Sequence, residues 1–128
     1  KNGLKYKEYE EGVFQADFSK LLVSNTEMML NAIENNRIDI VTHVGDKGPF
    51  DVVDISKACA KKGVMMEINS HHSHLNVEEL KIAAREDVRF VLSSDAHRAE
   101  DVGEVTKALE IALDAGIDLE RIDNLERK

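Results

Sequence analysis

Arg89-Phe90-Val91-Leu92-Ser93-Ser94-Asp95-Ala96-His97 joins a short apolar run to a polar tip, and the chain shows the same pattern twice upstream. Ile38 to Thr42 ends at His43, and Val64 to Ile68 ends at Asn69. Runs this continuously apolar are expected of strands in a parallel sheet that is covered on both faces. Each run is followed by a longer stretch with apolar residues at helical spacing. Val52, Ile55 and Cys59, with Ala58 beside them, share a face between Asp51 and Lys62. Val77, Leu80 and Ala84 do so between Asn76 and Asp87. Val102, Val105, Leu109, Ala112 and Leu113 form a stripe between Asp101 and Ala115, and Gly116 supplies the stop. Short apolar runs alternating with amphipathic stretches are the mark of βαβ units, so the expected class is α/β, with successive βα units of one parallel sheet.

The start signals agree with these boundaries. Asn76 with Glu79, and Ser24 with Glu27, each set a capping side chain three residues before an acidic one, and Asp51 opens its stretch in a comparable way. Ser24 is therefore expected to begin a helix. Residues 1–23, charged and tyrosine-bearing and then mixed, support no assignment and stand as a separate N-terminal segment. Gly45 to Pro49 reads as a turn-rich loop.

Composition narrows the function. With 128 residues the chain can bury a core, yet it is too short for a complete eight-fold β/α barrel. No run is long and apolar enough for a membrane-crossing helix. A net charge of -8 without a basic stripe disfavours nucleic acid as a partner. The one cysteine, Cys59, allows no internal disulfide, fits a reducing, cytoplasmic compartment, and reads as core filler rather than nucleophile. The chain begins at Lys1 with no secretory pattern after it, as an excised piece of a longer protein would.

The residues able to do chemistry follow the strands: His43 after the first, Asn69 after the second, Asp95 and His97 after the third. Ligands and catalytic groups gather at the carboxyl ends of parallel strands, where the loops converge. Imidazole and carboxylate are standard donors to zinc, manganese or iron. Against this, a lone His43 reads as a loop residue bonded to backbone, Asp95 as a helix cap and His97 as a surface residue. The shared position at strand tips favours a metal site over those readings. Glu67 lies mid-strand, where a carboxylate needs a partner unless the strand is at an edge and meets water. In His71-His72-Ser73-His74 adjacent side chains point to opposite sides of a strand-like backbone, so at most two of the three imidazoles share a pocket without a turn. One of them could touch a substrate phosphate, as could Arg98. Glu100 and Asp101 read as the acidic start of a helix. No glycine-rich phosphate loop, nucleophile elbow or paired-cysteine motif is present.

Ile38-Asp39-Ile40-Val41-Thr42-His43-Val44-Gly45-Asp46, Met66-Glu67-Ile68-Asn69 and Leu92-Ser93-Ser94-Asp95-Ala96-His97 with Val102-Gly103 resemble, in order and spacing, the C-terminal part of PHP (polymerase and histidinol phosphatase) phosphoesterases. The likeness is to small bacterial single-domain members and runs from about Asn25 onward. It implies the C-terminal part, here residues 24–128, of a distorted seven-stranded β/α barrel with a trinuclear cluster of zinc, manganese or iron. The activity implied is hydrolysis of phosphate monoesters of small molecules. By motif match His43, Asp95 and His97 would be metal ligands, and Glu67 and Asn69 would support them from behind; beside them, one of His71, His72 and His74, or Arg98, could contact the substrate phosphate.

Two features depart from that pattern. No histidine precedes His43, so the family's N-terminal His-x-His and bridging ligands are absent, and its His-Pro-Gly reads His43-Val44-Gly45. A chain with half a ligand set is expected to be inactive alone and to pair with the missing barrel half or with a second copy, because three βα units leave open sheet edges. The alternative is a degenerate, non-catalytic PHP-like module for interaction or regulation. A doubly wound binding domain of other ancestry explains the strand-helix alternation but not Ser94-Asp95-Ala96-His97.

Overall fold

The structure, a computed structural model, describes residues 3–45, 48–72 and 75–126, with side chains from Ser19 onward. Its order is α1 (Gly3–Asn35), β1 (Ile40–Val41), α2 (Val52–Lys62), β2 (Met65–Asn69), α3 (Val77–Ala83), β3 (Phe90–Ser93) and α4 (Thr106–Asp114). The strands form one parallel sheet in the order β1-β2-β3, with Val41 beside Met66 and Asn69 beside Ser93. The α/β class and the three strand positions read from sequence are those of the structure.

Local chemistry explains most of the boundaries. The Asp51 side chain accepts from Asp54 N at 3.1 Å to start α2. Asn76 and Glu79 close a reciprocal capping box on α3, with bonds of 2.9 and 3.2 Å. At the end of α4, Gly116 takes φ 72, which lets Gly116 N reach Leu113 O and Ile117 N reach Ala112 O, both at 3.0 Å. That pair of bonds is a Schellman ending, whose left-handed residue is most easily glycine.

Other expectations do not hold. Ser24 does not start a helix: it lies exposed inside α1, which continues through the previously unassigned residues. Helix from Asp101 to Ala115 is also not continuous. A 3-10 turn at Ala99–Asp101 is followed by Gly103 at φ 80, and α4 begins only at Thr106. The left-handed glycine ends the first turn before the apolar stripe can form. Val102 is accordingly 74% exposed, and Leu113 is 53% exposed, while Ala108 and Ala112 carry the packed face.

The core fills both sides of β2, where Met66, Glu67, Ile68 and Asn69 are buried in succession. Ile55 and Cys59 of α2, Leu80 of α3, Ala108 and Ala112 of α4 and Phe90 of β3 join it. Residues 122–124 run along the outer edge of β3: Asp123 N donates to Phe90 O at 2.9 Å, and the Asn124 side chain exchanges two bonds with the Leu92 backbone, at 2.8 and 2.9 Å. This strand edge is thus partly satisfied within the chain, which the sequence did not reveal.

Cys59 is fully buried, and burial pushes its thiol up to about 12. At pH 8 the thiolate fraction is then about one in ten thousand. Native protein should leave a disulfide-exchange reagent unreacted until denaturant unfolds α2. Fast stoichiometric labelling in buffer would contradict this burial of Cys59.

Candidate active site at the strand tips

Two residues beyond the end of β1, and likewise of β3, stands a residue with left-handed backbone. His43 has φ 54 and Asp95 φ 47, and among the described residues these are the only non-glycine positions with positive φ. Such conformations cost on the order of 1 kcal/mol, are tolerated best by Asn, Asp and His, and gather where a side chain must be aimed. Here both side chains turn toward each other, and His43 Nε2 stands 3.3 Å from Asp95 Oδ2.

The loop before α2 is fixed from α1. Thr26 Oγ1 accepts from Asp51 N at 2.9 Å, and Asn25 Nδ2 donates to Pro49 O at 3.2 Å. A Cβ on Gly48 would lie 2.6 Å from Asn25 Nδ2, so a larger residue there would push that side chain aside. At the start of the same loop, His43 N donates to Glu67 Oε1 at 3.1 Å. Glu67 is buried at 8% exposure on the central strand, so the edge-strand reading of this carboxylate does not apply.

His72 adds a second imidazole, its Nδ1 3.0 Å from the same Asp95 Oδ2. The bond from His72 lowers the Asp95 carboxyl most; those from Asn69 and His43 add to it against partial desolvation, and the group is held well below the usual carboxylate range. An ionised carboxylate only accepts, so the ring nitrogens of His43 and His72 that face it carry hydrogen. His97 approaches differently. Its Nδ1 lies 2.7 Å from the Asp95 backbone oxygen, and its ring stacks on His71 with centroids 4.3 Å apart and planes 24° apart.

His71 and His72 stand with ring centroids 4.3 Å apart, edge to face. The expected alternation to opposite sides is overridden by a turn: Asn69 Oδ1 accepts from both His71 N and His72 N at 2.8 Å. Of the predicted site residues, His43, Glu67, Asn69, His71, His72, Asp95 and His97 are therefore neighbours. Arg98 is turned to its own acidic neighbours, Asp101 at 3.2 Å and Glu100 at 3.6 Å. His74 lies outside the described residues.

An open cleft of about 680 Å³ adjoins this cluster, with His71, His97, Arg98, Asp101, Glu104, Thr106, Lys107 and Glu110 in its lining. Ser70 also lines it and ties it to α4, its Oγ accepting from Ala108 N at 3.0 Å. Ser70 and Lys107 were not singled out from sequence. Ser70 could have been found from its place directly after the second strand, whereas Lys107 depends on where α4 begins.

The cluster matches a divalent metal in donor type, imidazole nitrogen and carboxylate oxygen. It does not complete a ligand set: among the described residues no group of three or more His, Cys, Asp or Glu side chains is arranged to hold a metal ion. No helix among the described residues is long and apolar enough to cross a membrane.

No family model matches the chain. It is similar to a protein of Shewanella frigidimarina named "Probable phosphatase", 34% identical over 110 residues, which cover 79% of this chain and 44% of that protein. A protein of the same name from Shewanella loihica is 30% identical over 125 residues, covering 91% and 49%. In Shewanella sp. strain ANA-3 another probable phosphatase is 35% identical over 97 residues, covering 69% and 38%. The chain spans less than half the length of these relatives, and over most of its own length it is related to proteins named as phosphatases.

Proposed function

We propose that this chain is the C-terminal part of a metal-dependent phosphoesterase of the PHP type, a distorted seven-stranded β/α barrel that hydrolyses phosphate monoesters of small molecules. The observation that carries this reading is the convergence of His43 and His72 on one oxygen of Asp95 at parallel strand tips, in a chain whose relatives are named phosphatases. His43, Asp95 and His97 would hold zinc, manganese or iron, with the remaining ligands of a trinuclear set supplied from outside the described residues. Bound divalent ions supply an acidified water and neutralise charge on the phosphoryl oxygens.

The residues of this chain do the rest. Asp95 contributes a permanent negative charge at neutral pH. His97, with Nδ1 hydrogen-bonded to the Asp95 carbonyl, has its ring orientation fixed and its Nε2 left with the lone pair. The cleft, lined by Arg98 and Lys107 and by the carboxylates of Asp101, Glu104 and Glu110, would take the organic part of the ester, with His71 also in its lining.

The test uses a protein carrying this chain together with its upstream barrel strands, supplied with manganese or zinc and an aryl phosphate. Release of the phenol is expected, stopped by a chelator and restored by added metal. Hydrolysis indifferent to chelation would overturn the metal dependence, and no hydrolysis by metal-loaded protein would overturn the activity. The incomplete ligand set among the described residues favours a second reading, a non-catalytic PHP-like module. Metal analysis separates the two, since stoichiometric tightly held metal supports the enzyme and its absence supports the module.

A further inference from the structure

We propose that Asn69 is a positioning residue of this site, using one side-chain amide to set both the Asp95 carboxylate and the pair His71–His72; this rests on the reading of Asp95 as a ligand in a phosphoesterase. Asn69 ends the central strand, is 5% exposed, and has every hydrogen-bonding capacity in use. Nδ2 donates to Glu67 Oε1 at 3.3 Å and to Asp95 Oδ2 at 3.2 Å. Oδ1 accepts from His71 N and His72 N, both at 2.8 Å.

The orientation of that amide is dictated by its partners. Carboxylates only accept and backbone N–H groups only donate, so a flipped amide would set its oxygen against two carboxylates and its NH2 against two N–H groups. The bonds have two consequences. The oxygen side makes the turn that puts the rings of His71 and His72 on one side of the backbone, one against His97 and the other against Asp95. The nitrogen side joins His43 and His72 on Asp95 Oδ2, so that the side-chain bonds to this carboxylate among the described residues fall on one oxygen. Through Glu67, which also accepts from His43 N, the same network reaches the tip of β1. Asn69 thus ties together all three strand tips without itself being a ligand.

Two substitutions separate the two sides. Asn69→Asp keeps an oxygen for the His71 and His72 amides but replaces the donor to Asp95 and Glu67 with a like charge. Asn69→Ala removes both. Each is made in the protein carrying the complete barrel, and two quantities are read: backbone amide hydrogen exchange at His71 and His72, and kcat and KM for an aryl phosphate with manganese. Exchange at both amides should quicken at least about tenfold in Asn69→Ala and stay near wild type in Asn69→Asp. In both variants kcat should fall about 10- to 100-fold, the range for groups that orient metal ligands, with KM changed less than about threefold.

Wild-type exchange in Asn69→Ala, or a kcat within twofold of wild type in Asn69→Asp, would overturn the proposal. Loss of folding in both variants would also overturn it, since Asn69 would then be a structural residue; if one folds, that variant decides. Failure of the wild-type protein to hydrolyse the ester would instead refute the phosphoesterase reading, and the exchange measurement would still decide what Asn69 does.

Discussion

Asp95→Asn in the protein carrying the complete barrel is expected to lower kcat/KM for an aryl phosphate by more than about 100-fold, beyond what is typical for a group that only orients metal ligands. Asn is the informative replacement because it tolerates the left-handed backbone at φ 47 and nearly keeps the side-chain volume, so charge is what changes. Asp95 Oδ2 receives His72, Asn69 and His43 at 3.0, 3.2 and 3.3 Å. An amide there cannot accept three donors as an ionised oxygen does, and it has no negative charge to offer a cation. An activity within about tenfold of wild type would remove Asp95 from the site.

The same carboxylate predicts an acid limb. Its folded-state pKa is depressed, first by His72 and then by Asn69 and His43, so folding favours the ionised form. The resulting stabilisation is complete above the ordinary carboxylate value near about 4 and is lost as pH falls toward the native value. The thermal stability advantage of wild type over Asp95→Asn should therefore hold at pH 7 and shrink below about pH 4. An equal difference at pH 3 and pH 7 would show that the pairing does not favour the ionised form.

Arg121→Ala should destabilise the fold by about 3 kcal/mol, as removal of several charge-assisted hydrogen bonds from one group does without strict additivity. Its guanidinium donates to Ala84 O at 2.8 Å, Glu86 O at 2.6 Å and Val88 O at 2.7 Å, and it lies over the Phe90 ring at 5.4 Å from the centroid. One guanidinium thus satisfies the carbonyl of the α3 C-cap, Ala84, and two carbonyls of the loop that follows, and pins the 84–88 segment in front of β3. Arg121→Lys should recover less than half of the loss, because a single ammonium cannot span three carbonyls in one plane. Urea unfolding provides the measurement, with a lower midpoint at unchanged slope. A loss below about 0.5 kcal/mol would mean that water replaces these bonds without penalty.

Asp51, Asn76 and Gly116 placed the ends of their helices from sequence, because a cap is a contact within a few residues of chain. Val64 to Ile68 and Arg89 to Ser93 were legible as buried parallel strands for a similar reason: continuous apolar runs need cover on both faces. Ser24 misled, since a cap signal counts only where the helix before it is absent, and α1 runs straight through it. Val102 misled because one left-handed residue, Gly103, breaks the helical period that the pattern assumed.

The α/β class, the strand-helix order and the gathering of His43, Asn69, Asp95 and His97 at strand tips were determined by sequence alone, through periodicity and caps that act over a few residues. The tertiary structure decided how those tips meet. It turned His71 and His72 to one side, selected Oδ2 of Asp95 as the shared acceptor, and gave Arg121 and Asn124 their carbonyl and strand-edge partners. Apart from the Asn69 turn, these bonds join residues 23 to 52 positions apart, where spacing along the chain carries no information about separation in space.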